Sequence, residues 1–185
     1  MPSRRWALLS PGADRLQGVS AMLGKLFSGK DNIDIIEMEP QHCAAAALLH
    51  AERFSRPWTD GEFHALLAQK PVIGFVARQT GLFAARPIVG FVLAREVAGE
   101  AEILSVGVGS KFERLGIGWR LMQAAIRVIG QRGGETVFLE VDEGNAAAIA
   151  LYRRLRFQKV AERKGYYSDE RGHKSTALVM RLDLG

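Results

Sequence analysis

Two hydrophobic periods alternate along residues 33–183, and each switch between them marks an element. Ile33 to Met38 alternates and carries β-branched residues, predicting a first strand. Pro40 stands where a first helical turn accepts proline, and Gln41 to Phe54 reads as an alanine-rich helix. Thr59 and Glu62 have capping-box spacing for a helix through Gln69. Val72 to Arg78 and Ile88 to Glu96 are predicted strands, the second apolar on both faces as a central strand is. The turn at Val97-Ala98-Gly99-Glu100 returns the chain into a strand from Ala101 to Val108. Ile117, Leu121, Ala125 and Val128 then recur at helical spacing beside Met122, Ile126 and Ile129, predicting a helix to Gln131 that Gly133-Gly134 stops. Thr136 to Val141 is a strand, Asn145 caps a helix to about Arg156, and Phe157 to Arg163 and Thr176 to Leu182 are the last strands.

The order is β-α-α-β-β-β-α-β-α-β-β. Its strand–helix–strand unit over residues 101–141 implies one right-handed parallel crossover in an otherwise antiparallel sheet. The expected class is α/β (α+β): a single domain over residues 33–185, with a mixed, mostly antiparallel twisted sheet and flanking helices. A chain of 185 residues that is 48% hydrophobic has a core for one such domain. No internal repeat interrupts it.

Charge changes the picture at one end only. The formal net charge is +5, but residues 1–30 hold Arg4, Arg5, Arg15, Lys25 and Lys30 against Asp14 alone. The body is therefore close to neutral, which argues against direct nucleic-acid binding by the folded part. Residues 1–32 read as a basic extension with three open accounts: a disordered tail, a docked helix over residues 14–28, or a gene start placed too early. The stretch Trp6-Ala7-Leu8-Leu9 is too short for a signal-peptide core. One cysteine, Cys43, excludes an internal disulfide and suits a reducing cytoplasm. His42, His50, His64 and His173 show no metal-ligand spacing, so no metal is expected, and no apolar run is long enough to span a bilayer.

The candidate chemistry lies at the two strand–helix junctions. Phe112-Glu113-Arg114-Leu115-Gly116-Ile117-Gly118-Trp119 joins a strand to a helix; there glycines allow close backbone approach, and the helix start offers free N–H groups and a positive dipole end. That is a pyrophosphate site, or only a turn. Downstream, Glu140 sits within a strand between Leu139 and Val141, so it either faces solvent or is placed for chemistry. Tyr152 lies two turns into the following helix, as core filler or as a proton donor. Amide formation from an amine and a thioester needs an acceptor for the amine proton, stabilisation of the oxyanion and a proton for the leaving thiolate. A carboxylate and a phenol can supply the two proton transfers.

From Phe54 to Leu182 the chain resembles the GNAT superfamily, and within it the RimI-like ribosomal-protein-alanine N-acetyltransferases. The matching pieces are Phe54, Pro57-Trp58-Thr59, Val106-Gly107-Val108, Arg114-Leu115-Gly116-Ile117-Gly118, Leu139-Glu140-Val141, Asn145-Ala146-Ala147-Ala148-Ile149-Ala150-Leu151-Tyr152 and Lys164-Gly165-Tyr166-Tyr167. The resemblance implies acetyl-CoA as co-substrate, Glu140 as general base and Tyr152 as general acid toward the CoA sulfur. It implies that backbone groups of Val106, Gly107 and Val108 hold the acetyl and pantetheine portion. Arg114, Leu115, Gly116, Ile117, Gly118 and Trp119 would hold the pyrophosphate, and Asn145 would contact CoA. Trp58, Tyr166 and Tyr167 resemble acceptor-facing aromatics, and pantetheine would fill a gap where the strands ending near Val108 and Val141 splay apart. The implied acceptor is a protein N-terminal α-amine, the alanine terminus of a small-subunit ribosomal protein first among them.

Four departures qualify the match. Glu113 stands where relatives carry Gln or Arg, Gly109 where they carry Asp, Arg156 where they carry Gly, and Ser175-Thr176 where they often carry an acidic pair. The acetyl-transfer chemistry is therefore better supported than the acceptor. Acetylation of another amine (a small molecule, a lysine or an aminoacyl-tRNA) and a non-catalytic acyl-CoA-binding module are the alternatives.

Overall fold

The seven strands of the computed structural model form one sheet in the order β1-β2-β3-β4-β5-β7-β6. Residues 32–80, 87–168 and 174–185 are described, apart from the side chains of 166–168 and 174. The basic segment 1–31 and the side chains of Tyr166 and Tyr167 lie outside them. The elements are β1 (Ile33–Glu37), α1 (Cys43–Ala51), α2 (Asp60–Leu67), β2 (Val72–Gln79), β3 (Ile88–Val97), β4 (Glu100–Val108), α3 (Ile117–Gln131), β5 (Thr136–Asp142), α4 (Ala146–Arg154), β6 (Gln158–Ser168) and β7 (Lys174–Asp183). The element order matches the sequence expectation. Boundaries shift where local geometry overrides the pattern. A 3-10 turn over Pro40–His42 replaces the first turn of α1, and α4 stops at Arg154.

Every strand pairing is antiparallel except β4 with β5, joined by the α3 crossover. Alternation sends residues to two faces. Ala101, Ile103, Val137, Leu139 and Val141 pack with Ile117, Leu121, Met122, Ala125 and Ile129 of α3 and with Ile149 and Tyr152 of α4. On the other face Val76, Phe91 and Leu93 pack with Cys43, Ala46 and Leu49 of α1 and Phe63 of α2. Both cores exclude water from side chains that are essentially fully buried.

The parallel pair is short. Glu100, Ala101 and Glu102 pair with Thr136, Val137 and Phe138, yet β4 continues to Val108 and β5 to Asp142 without further pairing. The sheet is thus split between residues 103–108 and 139–142. A bulge helps to open it: Leu93 faces Ser105 while Ala94 faces Ile103, which leaves Leu104 as the extra residue. A bulge bends its strand and increases local twist.

Candidate active site

The β4 edge of the split is built from backbone. Gly109 N–H donates to the Val89 carbonyl at 2.9 Å, so in this antiparallel ladder alternate residues turn their polar groups toward β3. Val106 and Val108 therefore turn theirs toward the split. Arg53 Nε takes up one of these groups, donating to the Val108 carbonyl at 2.9 Å. Gly107 contributes a missing side chain: a Cβ there would lie 2.7 Å from the Phe91 ring.

Beyond β4 the chain turns into α3 through two left-handed residues, Arg114 at φ 59° and Gly116 at φ 77°. Arg120 N–H is the first to bond back along the helix, to the Gly116 carbonyl at 3.1 Å. The N–H groups of Ile117, Gly118 and Trp119 precede it and have no helical partner. Nothing lies within 4 Å of a Cβ built on Gly116, whereas one on Gly118 would meet Leu151 Cδ2 at 3.3 Å. The turn is therefore open on its outer side and closely packed where α3 meets α4. Leu115 packs against the core, Arg114 is exposed, and the Trp119 ring lies 5.7 Å from the Arg154 guanidinium. A concave run of free N–H groups at a helix start, beside unpaired strand groups, fits a diphosphate followed by an amide-bearing chain.

The β5 edge carries side chains. Glu140 projects to the α1/α2 face, opposite to Leu139 and Val141, and pairs in register with Val179 of β7. Arg163 of β6 reaches across β7, its Nη1 lying 2.6 Å from Glu140 Oε1. Both line a cleft of about 710 Å³ with Arg95, Glu102, Phe138 and Val179. Ser105, opposite Leu93 of β3 beside the bulge, is buried with no hydrogen-bond partner for its hydroxyl.

Tyr152 lies on the opposite face of the sheet. It is 6% exposed, in the α3/α4 core, and its ring centroid lies 6.0 Å from that of Phe157. The end of α4 fixes it: Phe157 N–H donates to the Tyr152 carbonyl at 3.0 Å and Arg156 N–H to the Arg153 carbonyl at 2.9 Å. These two bonds and the ring contact make a Schellman C-cap, with Arg156 at φ 71° in the left-handed place that favours glycine. Asn145 starts the same helix, its Oδ1 accepting from Ala148 N–H at 3.1 Å. That cap explains the asparagine locally and leaves its amide nitrogen for a ligand.

Sequence reasoning picked out Trp58 but missed the roles of His50, in the last turn of α1, and of Arg53 just after it. His50 is 3% exposed, its Nδ1 accepts from Trp58 N–H at 3.1 Å, and its ring stacks on Phe54 and Trp58 at 4.0 and 4.9 Å. Burial lowers its pKa to about 4, with the nearby Glu62 carboxylate opposing the shift. Trp58 is accordingly half-buried in an aromatic cluster with Phe63 and Phe91. Arg53 also pairs with Glu113, so the carboxylate beside the α3 turn is drawn to a guanidinium from this loop rather than to Arg114. Neither link has a local signal: His50 and Trp58 are eight residues apart across a loop, and Arg53 and Glu113 are sixty apart.

Cys43, Asp60 and His64, dispersed in sequence, place their ligand atoms within 4.8 Å of one another. His64 Nε2 and Asp60 Oδ1, an i,i+4 pair, are 3.3 Å apart. Burial and Asp60 push the Cys43 thiol up, so it is held as the neutral thiol. Among the described residues no helix is long and apolar enough to cross a membrane.

Known proteins share this fold. The family model described as Acetyltransferase (GNAT) family matches residues 44–157. The ribosomal protein bS18-alanine N-acetyltransferase of Escherichia coli K12 is 30% identical over 150 residues, which cover 81% of this chain and 97% of the relative. The N-alpha-acetyltransferase RimI of Mycobacterium tuberculosis is 35% identical over 149 residues, covering 80% and 88%. The crystal structure of the E. coli S18-alanine enzyme superposes with a TM-score of 0.74 at 28% identity, over 83% of this chain and 94% of that one. With a split sheet, a glycine turn at a helix start and relatives matched over most of their length, the chain belongs to the GNAT acetyltransferase family and is a RimI-like, acetyl-CoA-dependent N-acetyltransferase.

Proposed function

We propose that this enzyme acetylates a protein N-terminal α-amine, with the alanine terminus of a small-subunit ribosomal protein as its preferred acceptor. The observation that supports this reading is the split itself, beside which β5 carries Glu140 on one face of the sheet while Tyr152 is buried on the other. Backbone groups of Val106 and Val108 and the N–H groups of Ile117, Gly118 and Trp119 bind acetyl-CoA; Gly107, Arg114, Leu115 and Gly116 shape the path. Asn145 adds a polar contact, and Trp58, Tyr166 and Tyr167 are assigned to acceptor recognition on the family resemblance. Residues 33–185 form the catalytic domain. The acceptor nitrogen bonds to the acetyl carbon as the carbon–sulfur bond breaks. Glu140 takes a proton from that nitrogen, directly or through water, and Tyr152 gives one to the sulfur.

Magnitudes favour an α-amine. With a pKa near 7.8 it is roughly a quarter neutral at pH 7.4, whereas a lysine near 10.4 is about 0.1% neutral. A carboxylate base is therefore adequate for the first and poor for the second. The names of the E. coli and M. tuberculosis relatives point the same way.

Mass spectrometry of peptides incubated with acetyl-CoA tests the reading. An Ala-starting, Arg-rich ribosomal N-terminus is expected to gain one acetyl group, and the same peptide with a blocked α-amine none. Transfer only to a small amine or to aminoacyl-tRNA would overturn the acceptor while leaving the chemistry. Tight acetyl-CoA binding without any turnover would overturn both.

A further inference from the structure

Away from the split, one cluster brings together three kinds of metal donor. Cys43 opens α1, and Asp60 and His64 stand one turn apart at the start of α2. The thiol is fully buried among Ala46 and Phe63, whereas the Asp60 and His64 side chains are 53% and 47% exposed. Their ligand atoms lie within 4.8 Å of one another, and His64 Nε2 is 3.3 Å from Asp60 Oδ1. In tetrahedral zinc coordination, bonds of about 2.0 to 2.3 Å put the donors about 3.3 to 3.7 Å apart. The imidazole–carboxylate edge already has that length. The sulfur lacks at most about 1 Å, which rotation of the two exposed side chains supplies. An ordinary i,i+4 pair accounts for Asp60 with His64 but not for the buried thiol beside both. Capping does not account for it either, because Thr59 and Glu62 already cap α2. Burial, and then the Asp60 carboxylate, oppose ionisation of the Cys43 thiol. A dication among the three groups reverses that balance, since a metal strips the proton from a thiol that ligates it.

We propose that Cys43, Asp60 and His64 form a binding site for a zinc-type divalent cation, with one coordination place left to solvent. Sulfur and imidazole donors favour zinc over magnesium or calcium, and zinc accepts three protein ligands plus water. On binding, the Cys43 S–H bond breaks, its proton passes to solvent and a zinc–sulfur bond forms. The cation enters from the exposed side, where His64 also lines a cleft of about 350 Å³ with Glu37 and Glu39. Once bound, it ties the start of α1 to the start of α2, the two helices that flank the loop carrying Arg53 and Trp58. None of the three donors lines the Glu140 cleft, so the site does not depend on which amine is the acceptor.

The test uses the full-length, untagged chain in metal-free buffer. Titration with zinc chloride against a chromophoric chelator should show one equivalent bound, and the thermal midpoint should rise with zinc concentration. Cobalt(II) in place of zinc should give a thiolate-to-metal charge-transfer band. Cys43 is the only cysteine, so that band assigns the sulfur without a variant. His64→Gln and Asp60→Asn, both at exposed positions, should each weaken zinc by about tenfold or more, the scale of loss that even outer-shell changes produce. Cys43→Ser should abolish the cobalt band, and if its buried hydroxyl prevents folding, the band in the wild type and the two exposed variants decide. Absence of zinc uptake overturns the proposal. Uptake without the charge-transfer band also overturns it, because surface carboxylates and imidazoles then bind the metal alone. Zinc affinity within threefold of wild type in both His64→Gln and Asp60→Asn overturns it as well.

Discussion

The two edges of the split are made of different materials. On the β4 side the groups proposed to face the ligand are backbone N–H and C=O, presented by a bulge, two left-handed residues and a helix start. On the β5 side they are side chains: Glu140, held by Arg163 from a strand two positions away in the sheet, and Tyr152, held by the cap of α4. A backbone-built edge depends on glycines and torsion angles, so it tolerates many side-chain changes but few conformational ones. A side-chain edge is the reverse. Substitutions should therefore separate cofactor affinity from turnover according to the edge they touch.

The largest effects are expected on the side-chain edge. Glu140→Gln and Tyr152→Phe each remove a proposed proton-transfer group while keeping shape, and general acid–base catalysis contributes about 10²- to 10⁴-fold. Each should lower kcat within that range while the affinity for acetyl-CoA changes less than threefold. Turnover at saturating acetyl-CoA and calorimetric binding to the same proteins make the separation visible. Wild-type turnover would remove that residue from the mechanism.

The mirror experiment concerns Gly118. A Cβ there would meet Leu151 Cδ2 at 3.3 Å, and a valine would force α3 away from α4. Gly118→Val is expected to weaken acetyl-CoA binding by tenfold or more, with kcat at saturation reduced far less than by the Glu140 change. An equal loss in kcat would mean that the two edges do not act separately.

The same contrast decides what was legible in the sequence. Glycines, caps and hydrophobic period are local signals, so the order of elements along the chain, the α3 turn and the Asn145 and Thr59 caps could all be read from neighbouring residues. Gly116 and Gly118 belong to that class. Arg163 on Glu140, Arg53 on Glu113 and Val108, and His50 beneath Trp58 do not. Each pairing exists only because the sheet or the α1–α2 loop folds distant segments together, and a lone Arg or His at such positions reads as surface. The Cys43, Asp60 and His64 grouping is hidden for the same reason: the two helices that carry it meet only in the fold.

His50 offers a sharper view of the acceptor loop through pH. Its pKa is lowered to about 4 by burial, against an ordinary 6.5. The unfolded chain therefore binds more protons than the folded one between those values, so stability is full above about pH 6.5 and falls as pH drops toward 4. The loss is on the order of 2 kcal/mol by pH 4.5. Denaturant midpoints at pH 7.0 and 4.5 should show it in the wild type, and His50→Gln, which can still accept from Trp58 N–H, should flatten it. An equal slope in the variant would assign the pH dependence to other groups.

The smallest effect concerns how Tyr152 is held. Helices α3 and α4 end with the same pair of hydrogen bonds: Gly134 to Ile129 and Gly133 to Gly130 in the first, Phe157 to Tyr152 and Arg156 to Arg153 in the second. The left-handed residue is Gly133 at φ 90° in α3 but Arg156 at φ 71° in α4. An L side chain in that conformation costs roughly 1 kcal/mol, partly offset by the greater entropy of glycine in the unfolded chain. Arg156→Gly is therefore expected to raise stability by up to about 0.5 kcal/mol, read as a higher denaturant midpoint at unchanged m-value. If the cap only holds Tyr152 in place, kcat stays at the wild-type value. A fall in kcat with a rise in stability would mean instead that the strained arginine sets the position of the phenol.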